Sequence, residues 1–172
     1  MEPCPNCRAL LPSHDGPTHR YIGASAACWA LYSALNVGDP PVAPTPYGAL
    51  LVDAYAAQHY GIPSPQAIQS VAVHLLALYG VLEAGQPVEQ AIWLRTRPLR
   101  DGKTAKHSRF HWLTPPDFTG SLTVADIVRA ATPAERAGRM QRYVKSVWEI
   151  WAAQQRATVA QWYERYVLAD NL

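Results

Sequence analysis

Charge is scarce in this 172-residue chain: Asp, Glu, Lys and Arg together make up 16% of it, against roughly 25% in an average globular protein. Fifteen basic and thirteen acidic side chains leave a net charge of +2. That is too balanced for a general nucleic-acid coat, which carries a clear basic excess. Long apolar runs are also missing. The most apolar stretch, residues 71–82, is interrupted by His74 and falls short of the roughly 20 residues needed to span a bilayer. The first residues, Met1-Glu2-Pro3-Cys4, show neither the basic start nor the apolar centre of a secretory signal. Only three cysteines occur, so they cannot all pair within one chain. These shortages predict a soluble cytoplasmic protein with reduced thiols and no membrane partner. No GxGxxG, Walker lysine loop or nucleophile elbow is present, which disfavours dinucleotide, ATP and ordinary esterase chemistry.

What the chain does have is apolar mass and proline. Hydrophobic residues make up 49%, enough at this length for a core without disulfides. A single domain over 1–172 is expected, with a metal-binding N-terminal segment at 1–28 and a helical core at 45–168. Several of the fifteen prolines stand where helices begin. Ser25 caps a helix through Cys28, Trp29, Tyr32 and Leu35 that ends at Gly38, and a Pro-rich linker follows at 39–44. Thr45-Pro46 reads as N-cap and first helical residue for a helix carrying Leu50, Leu51, Ala54, Tyr55 and Gln58 and stopping at Gly61. Ser64-Pro65 repeats the signal for a helix to about Ala84, with Ile68, Val71, Leu75, Leu78 and Leu82 at helical spacing.

The middle is less regular. Residues 87–94 predict a short helix, 95–120 a long basic loop, and 123–130 another short helix. Thr132-Pro133-Ala134-Glu135 is a capping box. It opens a long C-terminal helix whose seam is Met140, Val144, Val147, Trp148, Trp151, Val159, Trp162 and Tyr166. Trp148, Trp151 and Trp162 lie on that seam, so core packing explains them better than a cofactor does. No run alternates long enough to nominate a core strand. The expected class is mainly α, a helical bundle with a zinc-knuckle-like N-terminal segment.

Five segments together resemble a bacterial family of uncharacterised proteins. They are Cys4-Pro5-Asn6-Cys7, residues 15–21 (DGPTHRY), Gly23-Ala24-Ser25 with Cys28-Trp29, Asp53-Ala54-Tyr55 with Gln58-His59, and residues 69–75 (QSVAVHL). The resemblance is strong over the first half of the chain and implies no known activity.

Chemistry must therefore be read from the residues. Cys4-x2-Cys7 has the spacing of a zinc knuckle, in which two thiolates of a tight turn bind one metal. Arg8, where such knuckles often have glycine, weakens the match. Cys28 is close enough to be a third ligand, and His19 is the nearest nitrogen, giving Cys-x2-Cys-x11-His-x8-Cys. His14, Asp15 and the more distant His59 compete for that fourth place. A redox pair is disfavoured because no βαβ pattern surrounds the CxxC.

Asp53, Tyr55, His59 and His74 form the second candidate group. Two helices joined by a short turn pack antiparallel, which predicts a polar pocket with His59 and His74 as acid, base or ligand and Asp53 orienting one of them. The offset along the helices makes Asp53–His74 the better pair for direct contact and leaves His59 free to join the metal region. Plain structural roles compete with this reading, including an Asp53 that answers a buried arginine. The third candidate is the loop 95–109, with Arg95, Arg97, Arg100, Lys103, Lys106 and Arg109 against Asp101, and with His107, Phe110, His111 and Trp112 within or beside it. It could hold an anionic ligand.

Two functions remain open. One is a zinc-containing enzyme acting on a small molecule from the Asp53–His59–His74 pocket. The other is a non-enzymatic binding or regulatory module with a structural zinc and the basic loop as its contact surface. Whether the histidines converge or are packed separately discriminates them.

Overall fold

Short polar caps and prolines set where most of the helices begin, as the computed structural model shows for residues 1–37, 45, 47–99 and 110–169. Six α-helices occur among these described residues. Helix α1 spans Ala26–Val37, and the Ser25 hydroxyl accepts from the Cys28 N–H at 3.2 Å. Helix α3, Pro65–Leu82, is capped by the Ser64 hydroxyl on the Ala67 N–H at 3.1 Å, with proline in its first turn. Gly85, at φ 71°, ends that helix by allowing the Gln86 N–H to reach the Gly80 carbonyl at 2.9 Å. Helix α6, Pro133–Tyr163, starts at the predicted box: Glu135 N–H donates to the Thr132 hydroxyl, and the Glu135 carboxylate accepts from Ala131 N–H. A wider π turn, Glu164–Leu168, continues it.

Two expectations need correction. Helix α2 spans only Leu51–Gln58, after a 3-10 turn at Gly48–Leu50. Tyr47 stands in the left-handed region at φ 63° and breaks the run that Thr45 was expected to open. The basic loop does not start at 95. Helix α4, Ala91–Thr96, flanked by 3-10 turns at Val88–Gln90 and Arg97–Leu99, takes its first residues. From residue 110 onward the chain is irregular yet anchored, because Phe110, Leu113 and Phe118 are buried. Helix α5, Val124–Val128, follows with a capping box of Thr123 and Asp126. Gly38, the linker 39–44, Pro46, and Arg100, Lys103, Lys106, His107 and Arg109 of the basic loop lie outside the described residues.

Helix α3 sits at the centre, packed on α2, α4 and α6. By length and composition it could cross a membrane, but half of it is buried within the fold, as for the core helix of a globular protein. Gly80 permits the close packing. A Cβ there would stand 2.8 Å from Leu94 and 3.2 Å from Tyr163. The α6 seam is buried from Met140 to Trp162, and two of its indoles find partners. Trp148 Nε1 donates to Glu83, and Trp151 Nε1 donates to the Ala57 carbonyl at 3.0 Å. The N-terminal segment is a short hairpin in which β1 (Glu2–Pro3) pairs antiparallel with β2 (Leu10–Leu11). The CxxC turn lies between those strands.

Candidate metal centre

A CxxC turn between two short strands holds its sulfurs on one side, and the backbone here is tight. Arg8 N–H donates to the Cys4 carbonyl at 3.1 Å and Cys4 N–H to the Ala9 carbonyl at 2.9 Å, with Arg8 at φ 61°. This is the left-handed position for which knuckles favour glycine. The first turn of α1 brings Cys28. Ser25 N–H donates to Cys4 Sγ at 3.4 Å, so the same residue that caps α1 also supports a ligand from the hairpin.

The fourth donor arrives from the end of α2. Gln58 is buried, donating to the Leu122 carbonyl at 2.8 Å and accepting from the Tyr143 hydroxyl at 3.1 Å. With the Trp151 bond to Ala57, α6 thereby anchors the end of α2. His59, the next residue, turns its ring to the sulfurs. Its Nδ1 donates to the Tyr55 carbonyl at 2.8 Å, which leaves Nε2 as the lone-pair nitrogen, 3.4 Å from Cys28 Sγ. Gly23 N–H donates to the His59 carbonyl at 3.0 Å and ties the loop before α1 to this ligand.

Cys4, Cys7, Cys28 and His59 are all buried, and their four ligand atoms lie within 4.8 Å of one another. Ligand bonds of about 2.3 Å to sulfur and 2.0 Å to nitrogen place tetrahedral S···S and S···N pairs about 3.8 and 3.5 Å apart. Cys7 Sγ–Cys28 Sγ is 3.9 Å and Cys28 Sγ–His59 Nε2 is 3.4 Å. The group fits a metal ion.

The electrostatics point the same way. Without a cation the three thiols hold unequal shares of charge. The Cys28 thiol, and then the Cys7 thiol, donates to Cys4 and holds it far below the ordinary thiol value. Cys28 is driven up by its bonds to Cys4 and Cys7 and by burial. Cys7 gains from the Cys28 bond, but Cys4 and burial outweigh it and push it up to about 12. Three thiolates coexist here only around a cation. The Tyr55 hydroxyl donates to Cys28 Sγ at 3.6 Å, and burial, then Cys28, raises that phenol so that it stays a neutral donor.

The other candidates fall elsewhere. His19 is half-buried against Trp29 and Tyr21, with ring centroids 5.1 and 5.4 Å away, and it is not one of the four clustered donors. His14 and Asp15 are exposed. His59 and His74 serve different clusters, since both ring nitrogens of His59 are occupied by Cys28 and Tyr55. The shared pocket expected for these two histidines is therefore not formed. His74 Nδ1 instead lies 2.8 Å from Asp53 Oδ1, and Arg95 takes the other oxygen. Only the packing of α6 on the end of α2 singles out His59 over His19, and no local spacing carries that signal.

Fold and site together define a mainly helical protein in which a buried group of three cysteines and one histidine can hold a metal. The chain belongs to DUF5946, a family of unknown function, whose model matches residues 2–152 and so includes both clusters. No curated protein and no solved structure matches it.

Proposed function

We propose that this chain binds one zinc ion through Cys4, Cys7, Cys28 and His59, and that the ion is structural. The observation supporting this is a closed set of four buried protein donors. Structural zinc takes four protein ligands in a tetrahedron, whereas catalytic zinc keeps a place for water or substrate. Thiolates with one imidazole suit zinc and not magnesium or calcium, which prefer oxygen. Bound there, zinc supplies a cross-link and neutralises the thiolates. The protein's own residues supply the rest: Tyr55 fixes the His59 tautomer and donates to Cys28, and Ser25 donates to Cys4. Unpaired thiols at such a site suit a reducing compartment, which supports a cytoplasmic location.

Elemental analysis of protein purified without chelator is expected to give about one zinc per chain, as one four-ligand site requires. Cys7→Ser is expected to lower the thermal midpoint and abolish its sensitivity to chelator, because metal binding energy adds to folding energy. Metal-free protein with three freely titratable thiols, or a variant that melts like wild type, would overturn the reading.

A further inference from the structure

A second polar cluster lies where α2, α3 and α4 meet. Asp53 is fully buried and both its oxygens are taken, Oδ1 by His74 Nδ1 at 2.8 Å and Oδ2 by Arg95 Nη1 at 2.5 Å. A single arginine is enough to neutralise one buried carboxylate, so charge balance alone does not require the histidine. What His74 gains is orientation. Its proton is held on Nδ1 by Asp53, and Nε2 is left with no hydrogen-bond partner among the described residues. Arg95 is in the same condition. Nη1 serves Asp53 and, at 3.5 Å, the Ala49 carbonyl, while Nε and Nη2 have no partner among the described residues. The side chains of His74 and Arg95 are 15% and 17% exposed, so each presents an edge outward while its other edge is held on Asp53.

We propose that His74 Nε2 and the outer edge of the Arg95 guanidinium form a binding site for a small oxyanion, the carboxylate or phosphate of a small molecule. The planar guanidinium offers paired N–H donors that match such a group. With His74 neutral, the charges of Asp53 and Arg95 cancel. Protonation at Nε2 adds a second donor and one positive charge for the anion to meet. Asp53 holds both side chains in place beforehand, which lowers the ordering cost of binding. The site is separate from the metal centre.

The test follows the His74 ring resonances of the protein as purified. Inorganic phosphate and acetate are titrated separately, with ionic strength held constant by chloride. A saturable shift with either anion is expected, and which of the two acts identifies the ligand class. Arg95→Lys keeps a cation for Asp53 but loses the fork, and should weaken binding more than about tenfold. His74→Gln can still donate to Asp53 and should also lose binding, read in this variant, and in wild type for comparison, from the Arg95 side-chain N–H resonances. Metal content and thermal midpoint are measured on the same samples, so failure of the zinc site and failure of the anion site are read separately. Ring resonances that move with neither anion would overturn the proposal, as would either variant titrating like wild type.

Discussion

At Arg8 the backbone takes φ 61°, a conformation that costs an L residue about 1–2 kcal/mol and costs glycine almost nothing. Arg8→Gly should therefore stabilise the protein by about 1 kcal/mol, read from urea denaturation of the metal-free form. A loss of stability would mean that the arginine side chain holds the turn. The thiols give a second prediction at this scale. Cys7 is raised from 9.0 to about 12 in the folded chain, and Cys28 moves the same way. A raised value stabilises the fold in full below the unfolded pKa, and that stability is lost as pH rises from about 9 towards 12. Cys4, which is lowered, adds stability as pH rises towards about 9 and then levels off. Metal-free protein should thus melt at a lower temperature at about pH 10.5 than at about pH 9. An unchanged midpoint would show that the thiols are not packed together as described. Cys4, Cys7 and Cys28 stood out in the sequence because their spacing is short. His59 did not, since the residues that aim it, Tyr143 and Trp151, come more than eighty positions later.

Helix starts were legible at the level of elements because a cap is a local device: Ser25, Ser64 and Thr132 each accept the N–H three residues on. Thr132→Ala should cost about 1 kcal/mol by denaturation, with metal content unchanged. The start of α2 was not legible, because a left-handed tyrosine has no sequence signature. The short helix α4 was legible over 87–94, and only its last two residues, Arg95 and Thr96, were assigned to the basic loop instead. Two glycines with positive φ now separate local strain from support of the site. Gly85, at φ 71°, has nothing near a would-be Cβ, whereas at Gly61, φ 66°, that atom would stand 2.5 Å from the Tyr21 carbonyl oxygen. Gly85→Ala should cost about 1 kcal/mol of stability and leave metal affinity alone. Gly61→Ala should push away the 21–23 segment that donates to the His59 carbonyl, and so weaken metal binding as well. Competition against a chromogenic chelator measures the difference. Equal affinities in the two variants would remove the 21–23 segment from the support of the site.

Across the whole molecule, the four donors come from three stretches that are distant in sequence: the hairpin, the start of α1 and the end of α2. Their dependence on the ion should differ. The β1–β2 pair has two residues per strand, and an isolated two-stranded hairpin is marginal in water. Without the metal, the first 25 residues are held to the core by the Cys4–Ser25 and Gly23–His59 bonds, the His19–Trp29 ring contact and two buried apolar side chains, Leu11 and Ala24. Helices α3 and α6 are secured differently, by buried Leu75, Leu76, Leu78, Met140, Val147 and Trp151, none of which touches the donor group by hydrogen bond or charge. Chelation should therefore open the protein locally. Amide hydrogen exchange is expected to rise across residues 1–25 and the first turn of α1, while α3 and α6 keep their protection and helical circular dichroism barely changes. Uniform loss of protection would mean that the ion holds the entire core. Exchange unaltered by chelation would mean that the four donors are held by packing alone, and the structural role proposed for the metal would fail.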